Sequence, residues 1–153
     1  MKLLFITNKV NSYALGFQNV LNTLLSLGHD VIWAADFSNF NGDRAAIPCL
    51  TYQLPINSNP ANRQNIVAYK SLCEMIDKEK IDAIQCSTPI GGLLGRLVGH
   101  KKKIHTVIYA AHGFLFFKGA PFINNTLYKL EEIWLAHYTD ILITINEEDF
   151  KAA

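Results

Sequence analysis

Neither a G-x-G-x-x-G loop nor a P-loop occurs anywhere in the 153 residues. The first absence argues against the tight glycine turn that brings backbone up to a dinucleotide pyrophosphate. The second argues against the phosphate cradle of ATP-hydrolysing enzymes. Cysteine is scarce: Cys49, Cys73 and Cys86 are an odd number with no metal-like or redox spacing. A disulfide framework is therefore not expected, and a reducing, cytoplasmic location fits. Cys73 and Cys86 lie in apolar surroundings and read as small core residues. Charge of either sign is not in excess, since the formal net charge is +1, which gives no bulk attraction to nucleic acid. The one basic run, His100-Lys101-Lys102-Lys103, reads as a solvated turn or as a contact with anionic lipid. No apolar stretch approaches the ~20 residues that span a bilayer. The apolar run within Met1–Asn8 lacks a small-residue cleavage site and reads as a buried strand rather than a signal peptide.

What is present is a globular composition, 50% hydrophobic and 18% charged, at a length suited to one domain over residues 1–153. Such a chain buries roughly 68–70% of the surface it exposes when unfolded. Leu3–Thr7 is a short apolar run of the kind found in parallel strands covered on both faces. Phe17, Val20, Leu21, Leu24 and Leu25 then recur at helical spacing, and Gly28 stops that helix. Asp30–Ala34 is a second strand, which completes a βαβ unit. Ser38–Pro48 is loop, Leu50–Leu54 a third strand, and Pro55–Pro60 another loop. Ile66, Tyr69, Leu72, Cys73 and Ile76 mark a helix ending in Asp77–Lys80, and Ala83–Cys86 is a fourth strand. Pro89 opens a helix running through Val98, and Ile104–Ala110 is a fifth strand. Ile123, Leu127, Leu130 and Trp134 space out a further helix that ends near Tyr138. Asp140–Ile145 is a sixth strand, and Asn146-Glu147-Glu148-Asp149 starts one more helix, capped and acidic. That helix runs only about two turns before Ala153, so the chain reads as part of something larger. Strand–helix alternation throughout predicts an α/β fold: a doubly wound, mostly parallel, Rossmann-like sheet with helices on both faces.

In such sheets ligands bind outside the carboxyl ends of the strands. That rule selects Asn8–Tyr13, Ser87–Gly92, Ala111–Lys118 and Thr144–Glu147. Ser87-Thr88-Pro89-Ile90-Gly91-Gly92 joins a strand end to a helix start. It either turns backbone amides toward an anion or a sugar hydroxyl, or is an ordinary capped turn with small residues for close packing. His112-Gly113 is the sharpest signal, a histidine delivered to the rim and followed by a residue that lets the chain turn. Its imidazole suits contacts to sugar hydroxyl or phosphate, or else it is a structural histidine bonded to a nearby carbonyl. Phe114-Leu115-Phe116-Phe117-Lys118-Gly119-Ala120-Pro121-Phe122 is too apolar for an ordinary exposed loop. It is either a core plug or a surface that meets lipid, a membrane or a partner domain. His29, His100, His105 and His137 show no ligand spacing and read as structural. Glu131 and Glu132 read as a solvated helix face, since adjacent helical residues do not face one site. No nucleophilic triad or metal cluster is visible.

Three stretches together resemble the bacterial family 4 glycosyltransferases that build capsular polysaccharide and exopolysaccharide. They are Ser87-Thr88-Pro89-Ile90-Gly91-Gly92-Leu93-Leu94-Gly95-Arg96, Tyr109 to Pro121 through His112-Gly113, and Glu131 to Phe150. The resemblance covers nearly the whole chain. It implies the N-terminal, acceptor-side half of a GT-B enzyme, with two Rossmann-like domains facing a cleft and the nucleotide-sugar held mainly by the C-terminal one. It further implies transfer without metal or cofactor and with retention of anomeric configuration. His112 would then sit near the donor sugar and position it or the departing phosphate. Asn8, Asn11, Ser12, Tyr13, Ser87, Thr88, Gly91, Gly113, Phe114, Lys118 and Asn146 would line the acceptor side. The aromatic segment after Gly113 would lie near a lipid-linked acceptor or at the inner face of the membrane. Asn8–Leu15 departs from many relatives in having no glycine pair, and the donor-binding half is absent, so this chain alone is not expected to catalyse transfer. A stand-alone domain that binds a lipid-linked saccharide, or partners a separate donor subunit, is the alternative. A sugar-nucleotide epimerase shares the architecture but needs acid/base carboxylates that are not evident at the rim.

Overall fold

β1 (Lys2–Lys9) is buried on both faces from Leu3 to Thr7 and forms the centre of the sheet. The computed structural model describes residues 1–11, 17–116 and 121–153. After β1 come α1 (Gln18–Ser26), β2 (Asp30–Asp36), a short 3-10 turn (Arg44–Ala46), β3 (Leu50–Gln53) and α2 (Arg63–Glu79). Then follow β4 (Ala83–Ser87), α3 (Pro89–Lys102), β5 (Thr106–Ala111), α4 (Phe122–Ala136), β6 (Ile141–Thr144) and α5 (Glu147–Ala152). The strands pair in the order β3-β2-β1-β4-β5-β6, every pairing parallel. The expected doubly wound sheet is therefore observed, with strand limits within a few residues of those read from the sequence.

Strand periodicity divides the core in two. Leu4, Ile6, Ile32, Ala34, Ile84 and Cys86 face α2 and α3, together with Leu72, Ile76 and Leu94. Leu3, Phe5, Val31, Trp33 and Ala35 face α1, where Leu21 meets them. The Trp33 indole donates to Thr7 Oγ1 at 2.9 Å, so these two buried polar groups satisfy each other. Gly28, at φ 77°, turns the chain out of α1 as expected. Buried Asn65 holds the Pro55–Pro60 loop, accepting from Asn57 N at 2.9 Å and donating to the Asn57 and Asn59 carbonyls.

α3 lies unusually close to the sheet. A Cβ added at Gly95 would stand 2.5 Å from Cys86 Cβ, one at Gly99 2.5 Å from Val107 Cγ2, and one at Gly91 3.0 Å from Thr7 Cα. Gly91, Gly95 and Gly99 recur at intervals of four, so one face of the helix carries no side chains and its backbone rests on β1, β4 and β5. Gly95→Ala must push α3 off the sheet. It is expected to cost about 1–3 kcal/mol despite alanine's better helix propensity, measured as a lowered melting temperature.

α4 departs from its sequence-based reading. The stripe Ile123, Leu127, Leu130 and Trp134 faces outward, and only Leu135 of this helix is buried. Glu131 and Glu132, expected on a solvated face, turn toward the domain instead. Arg96 of α3 is 2% exposed and binds Glu132 through two bonds, Nη1 to Oε2 at 2.6 Å and Nη2 to Oε1 at 3.1 Å. Its Nε donates to Gly92 O at 3.0 Å, and its guanidinium stacks over the Tyr109 ring at 4.0 Å. A buried cation must be paired, and this requirement sets the rotation of α4.

Candidate functional site

The strand order reverses between β1 and β4: the chain runs outward through β2 and β3, then returns to place β4 against β1. The crevice at their carboxyl ends is where the doubly wound architecture exposes loops from both halves of the sheet. Asn8 of β1 and Thr88, just past β4, lie at these neighbouring strand ends. Their Oδ1 and Oγ1 atoms are both buried, without a hydrogen-bond partner among the described residues.

Thr88 is also strained. It has φ 69° and ψ 156°, a region almost reserved for glycine and unfavourable for a β-branched residue. Pro89 at the first turn of α3 removes one amide and favours the extended ψ before it. The hydroxyl of Thr88 does not cap α3, and the Gly91 backbone presses on Thr7. Strain of this kind costs about 1–3 kcal/mol and persists where surrounding structure imposes it. Thr88→Gly is expected to raise stability by about 1 kcal/mol, measured by thermal or denaturant unfolding. An unchanged or lowered midpoint would show that the conformation carries no strain.

His112 stands beside this crevice at the end of β5. It is exposed, and among the described residues nothing hydrogen-bonds its ring. Its imidazole lies edge-on to Phe17, at the start of α1, with ring centroids 6.4 Å apart. Phe17 in turn packs on Phe5 and Trp33 of the core. The imidazole thus rests edge-on against Phe17, and no carbonyl of a described residue bonds its nitrogens. Gly113 follows at φ 120° and turns the chain sharply, as its place in the sequence suggested.

The next segment divides. Phe114 is half-buried against the core cluster and stacks on Phe116 at 4.8 Å, whereas Leu115 and Phe122 are exposed. Phe114 N donates to Asp149 Oδ1 at 3.2 Å, and Asn146 caps α5 by accepting from Asp149 N at 2.7 Å. Asp149 is therefore the buried anchor that ties the loop after β5 to the helix after β6. The sequence reading missed this role, although the Asn-x-x-Asp spacing resembles a capping box. Gly113, Phe114 and Asn146 line one open groove together with Phe116 and Lys129.

Behind the loop, a small cavity is lined by Pro89, Tyr109, Gly113, Phe114, Tyr128, Glu131 and Glu132. Burial, and after it the neighbouring Glu132 carboxylate, raise the Glu131 carboxyl above the usual carboxylate range. Burial likewise holds the Tyr109 phenol well above its ordinary value and pushes the Cys86 thiol up to about 12, so Cys86 is a core residue and not a nucleophile. The folded chain holds the Glu131 proton more tightly than the unfolded chain does. Stability from this residue is accordingly present at low pH and lost as pH rises from the ordinary glutamate value toward the raised one. Glu131→Gln should therefore raise stability at pH 7 but change it little at pH 3, as denaturant midpoints at the two pH values would show.

Of the residues singled out in the sequence, Asn8, Thr88, Gly91 and His112 lie at the carboxyl ends of β1, β4 and β5, with Gly91 close to the Thr88 hydroxyl. Gly113, Phe114 and Asn146 share the adjoining groove. Ser87 is buried beneath the rim. Asn11 is exposed, its carbonyl accepting from Asn41 N at 2.8 Å on the β2 side. Ser12, Tyr13 and Lys118 lie outside the described residues. Among the histidines read as structural, His137 places Nδ1 3.0 Å from Ile133 O, and His100 stacks on Tyr138.

Comparison with known proteins points the same way. Residues 2–146 match the family described as glycosyl transferase 4-like. EpsD of Bacillus subtilis (strain 168), a protein named as a glycosyltransferase, is 46% identical over 101 residues, 65% of this chain and 26% of the relative. The UDP-Gal:alpha-D-GlcNAc-diphosphoundecaprenol alpha-1,3-galactosyltransferase of Escherichia coli is 32% identical over 79 residues, 52% of this chain and 20% of the relative. The chain thus spans about a quarter or less of the length of these relatives. Among solved structures, MurG of Acinetobacter baumannii superposes with a TM-score of 0.66 at 16% identity, over 96% of this chain and 42% of that one. A UDP-N-acetylglucosamine 2-epimerase superposes with a TM-score of 0.68 at 14% identity, over 99% and 44%. At such identities these two show the fold alone, a Rossmann-like half of the GT-B architecture.

Proposed function

The chain belongs to the glycosyl transferase 4-like family, and from that membership we propose that it is the acceptor-side half of a nucleotide-sugar-dependent transferase. The transferase acts in surface polysaccharide assembly, retains anomeric configuration and uses no metal. The observation that carries the proposal is that Asn8, strained Thr88 and exposed His112 all lie at the carboxyl ends of the neighbouring strands β1, β4 and β5. Two buried oxygens without a partner among the described residues call for a hydroxyl-bearing ligand, because an unpaired buried polar atom costs free energy that a sugar hydroxyl would recover.

In this reading the crevice presents one acceptor hydroxyl. His112 faces the donor held by the rest of the protein, and there positions the sugar or the departing phosphate. Gly113, Phe114, Lys118 and Asn146 line the path by which the remainder of the acceptor enters. The named acceptor of the Escherichia coli relative is a saccharide on diphosphoundecaprenol, so a lipid-linked acceptor at the inner, cytoplasmic face of the membrane is proposed here as well. No helix among the described residues is long and apolar enough to cross a membrane. The test is transfer from a labelled nucleotide-sugar to a lipid-linked saccharide by the full-length protein, with Asn8→Ala and Thr88→Val compared with wild type. Loss of acceptor affinity with the donor KM unchanged supports the assignment, and a change confined to the donor KM refutes it.

A further inference from the structure

The ion pair between α3 and α4 leaves one carboxyl over. Glu132 takes both terminal nitrogens of the Arg96 guanidinium. Glu131 forms no hydrogen bond or ion pair with a described residue, although it is partly buried and lines the small cavity behind the loop after β5. Its charge there would stand near that of Glu132. An arrangement that lowers stability with no structural return is a mark of functional sites.

Tyr109 lines the same cavity from β5. It is 3% exposed, and its phenol bonds no described residue either. Two neighbours hold its ring. The Arg96 guanidinium covers one face at 4.0 Å. Gly92 leaves room for an edge, since a Cβ there would stand 2.4 Å from Tyr109 Cε2. Tyr128 of α4 brings a second phenol without a described partner. Buried polar groups are as a rule hydrogen-bonded, so a carboxyl and two phenols lining one space mark it as a place where a polar group binds.

The cavity adjoins the acceptor path. Pro89, next to Thr88, forms one wall, and Gly113 and Phe114 form another while also lining the open groove. The volume, about 20 Å³, admits one water-sized group and no sugar ring. Charge narrows the choice. An ammonium would face Arg96 across the Tyr109 ring, and an anion would face Glu131. A hydroxyl carries no charge and both donates and accepts.

We propose that Glu131, with Tyr109 and Tyr128, is a specificity-determining group that binds one hydroxyl of the acceptor saccharide, other than the hydroxyl received by Asn8 and Thr88. The Glu131 carboxyl accepts from that hydroxyl and a phenol donates to it. The assignment rests on the acceptor-side reading above and names the part of the acceptor that this domain discriminates.

The experiment is isothermal titration of the full-length protein with N-acetylglucosamine on a short, water-soluble prenyl diphosphate. It is repeated with monodeoxy analogues, each lacking one sugar hydroxyl. One analogue is expected to bind wild type at least about tenfold more weakly than the parent, as for a lost hydrogen bond to a carboxylate. In Glu131→Ala the parent should weaken about tenfold, and its advantage over that analogue should shrink to within about twofold. Tyr109→Phe keeps the ring over Arg96 and removes only the hydroxyl. It should weaken the parent about fivefold, with an unchanged circular dichroism spectrum. Glu131→Gln, the more stable protein at pH 7 by the prediction above, retains an acceptor oxygen and should lose less than Glu131→Ala. Equal weakening of the parent and every analogue by Glu131→Ala would overturn the proposal, as would no weakening by that variant or by Tyr109→Phe. Either result leaves the crevice assignment standing. Coupling at Glu131 with no effect of Asn8→Ala or Thr88→Val would keep the pocket and remove the crevice. A parent that does not bind wild type would overturn both.

Discussion

Replacing His112 with alanine in the full-length protein is expected to lower turnover by on the order of 10²–10³, the value of one well-placed hydrogen bond made mainly in the transition state. The melting temperature should hardly move. The imidazole is exposed, forms no hydrogen bond to a described residue and lies edge-on to Phe17. Little packing is lost with it, and Gly113, not His112, sets the turn of the loop. The loss should fall on kcat and on kcat/KM for the donor in similar proportion, because a group engaged in the transition state leaves ground-state binding largely intact. A His112→Ala enzyme with wild-type kcat would remove the residue from the reaction. One whose stability collapsed would show that the imidazole is a structural prop.

The second large effect concerns stability. Glu132→Ala should cost about 3 kcal/mol, at the lower end of the range for breaking a buried ion pair, since Glu132 retains some solvent access. In a chain of this length that corresponds to a fall in melting temperature of roughly 6–12 °C. The cost arises from the partner left behind. Arg96 keeps its bond to Gly92 O and its place over Tyr109, but it can no longer neutralise its charge. The double variant Arg96→Met, Glu132→Leu removes both charges and should recover most of the loss. If Glu132→Ala melts within a degree or two of wild type, water reaches Arg96 and the pair does not fix α4. In that case the outward orientation of the apolar stripe needs another cause.

How far these features were legible in the sequence depended on whether the deciding interaction was local. Leu3–Thr7, Asp30–Ala34 and Ala83–Cys86 declare themselves as apolar runs because parallel strands are covered on both faces. The rim followed from them, since strand ends and the loops after them are positions along the chain, and His112-Gly113 sits on one. The convergence of Asn8 with Thr88 needed only the reversal of strand order. The backbone strain at Thr88 was not readable, because it arises from how α3 is pressed on β1 through Gly91. The four-residue glycine spacing in α3 is present in the sequence, but a turn with small residues accounts only for Gly91 and Gly92 and leaves Gly95 and Gly99 without a reason until the sheet is in place.

α4 shows the deeper limit. Helical spacing of Ile123, Leu127, Leu130 and Trp134 predicts a stripe but not the direction it faces. That direction is set by Arg96, thirty-six residues before Glu132, and no periodicity within α4 encodes a partner in α3. Asp149 was hidden for the same reason: its bond is to the amide of Phe114, across the groove from its own helix.

The proposal that the β1/β4 crevice receives the acceptor is tested most directly by amide chemical-shift mapping of the labelled chain. The ligand is a short-chain, water-soluble polyprenyl diphosphate saccharide, titrated to saturation without vesicles. Asn8, Thr88, Gly91 and Gly113 should show the largest shifts, with Thr88→Val weakening the titration. Shifts confined to the opposite edge of the sheet, around Gly28, Lys80 and Lys103, or none at saturating ligand, would contradict it.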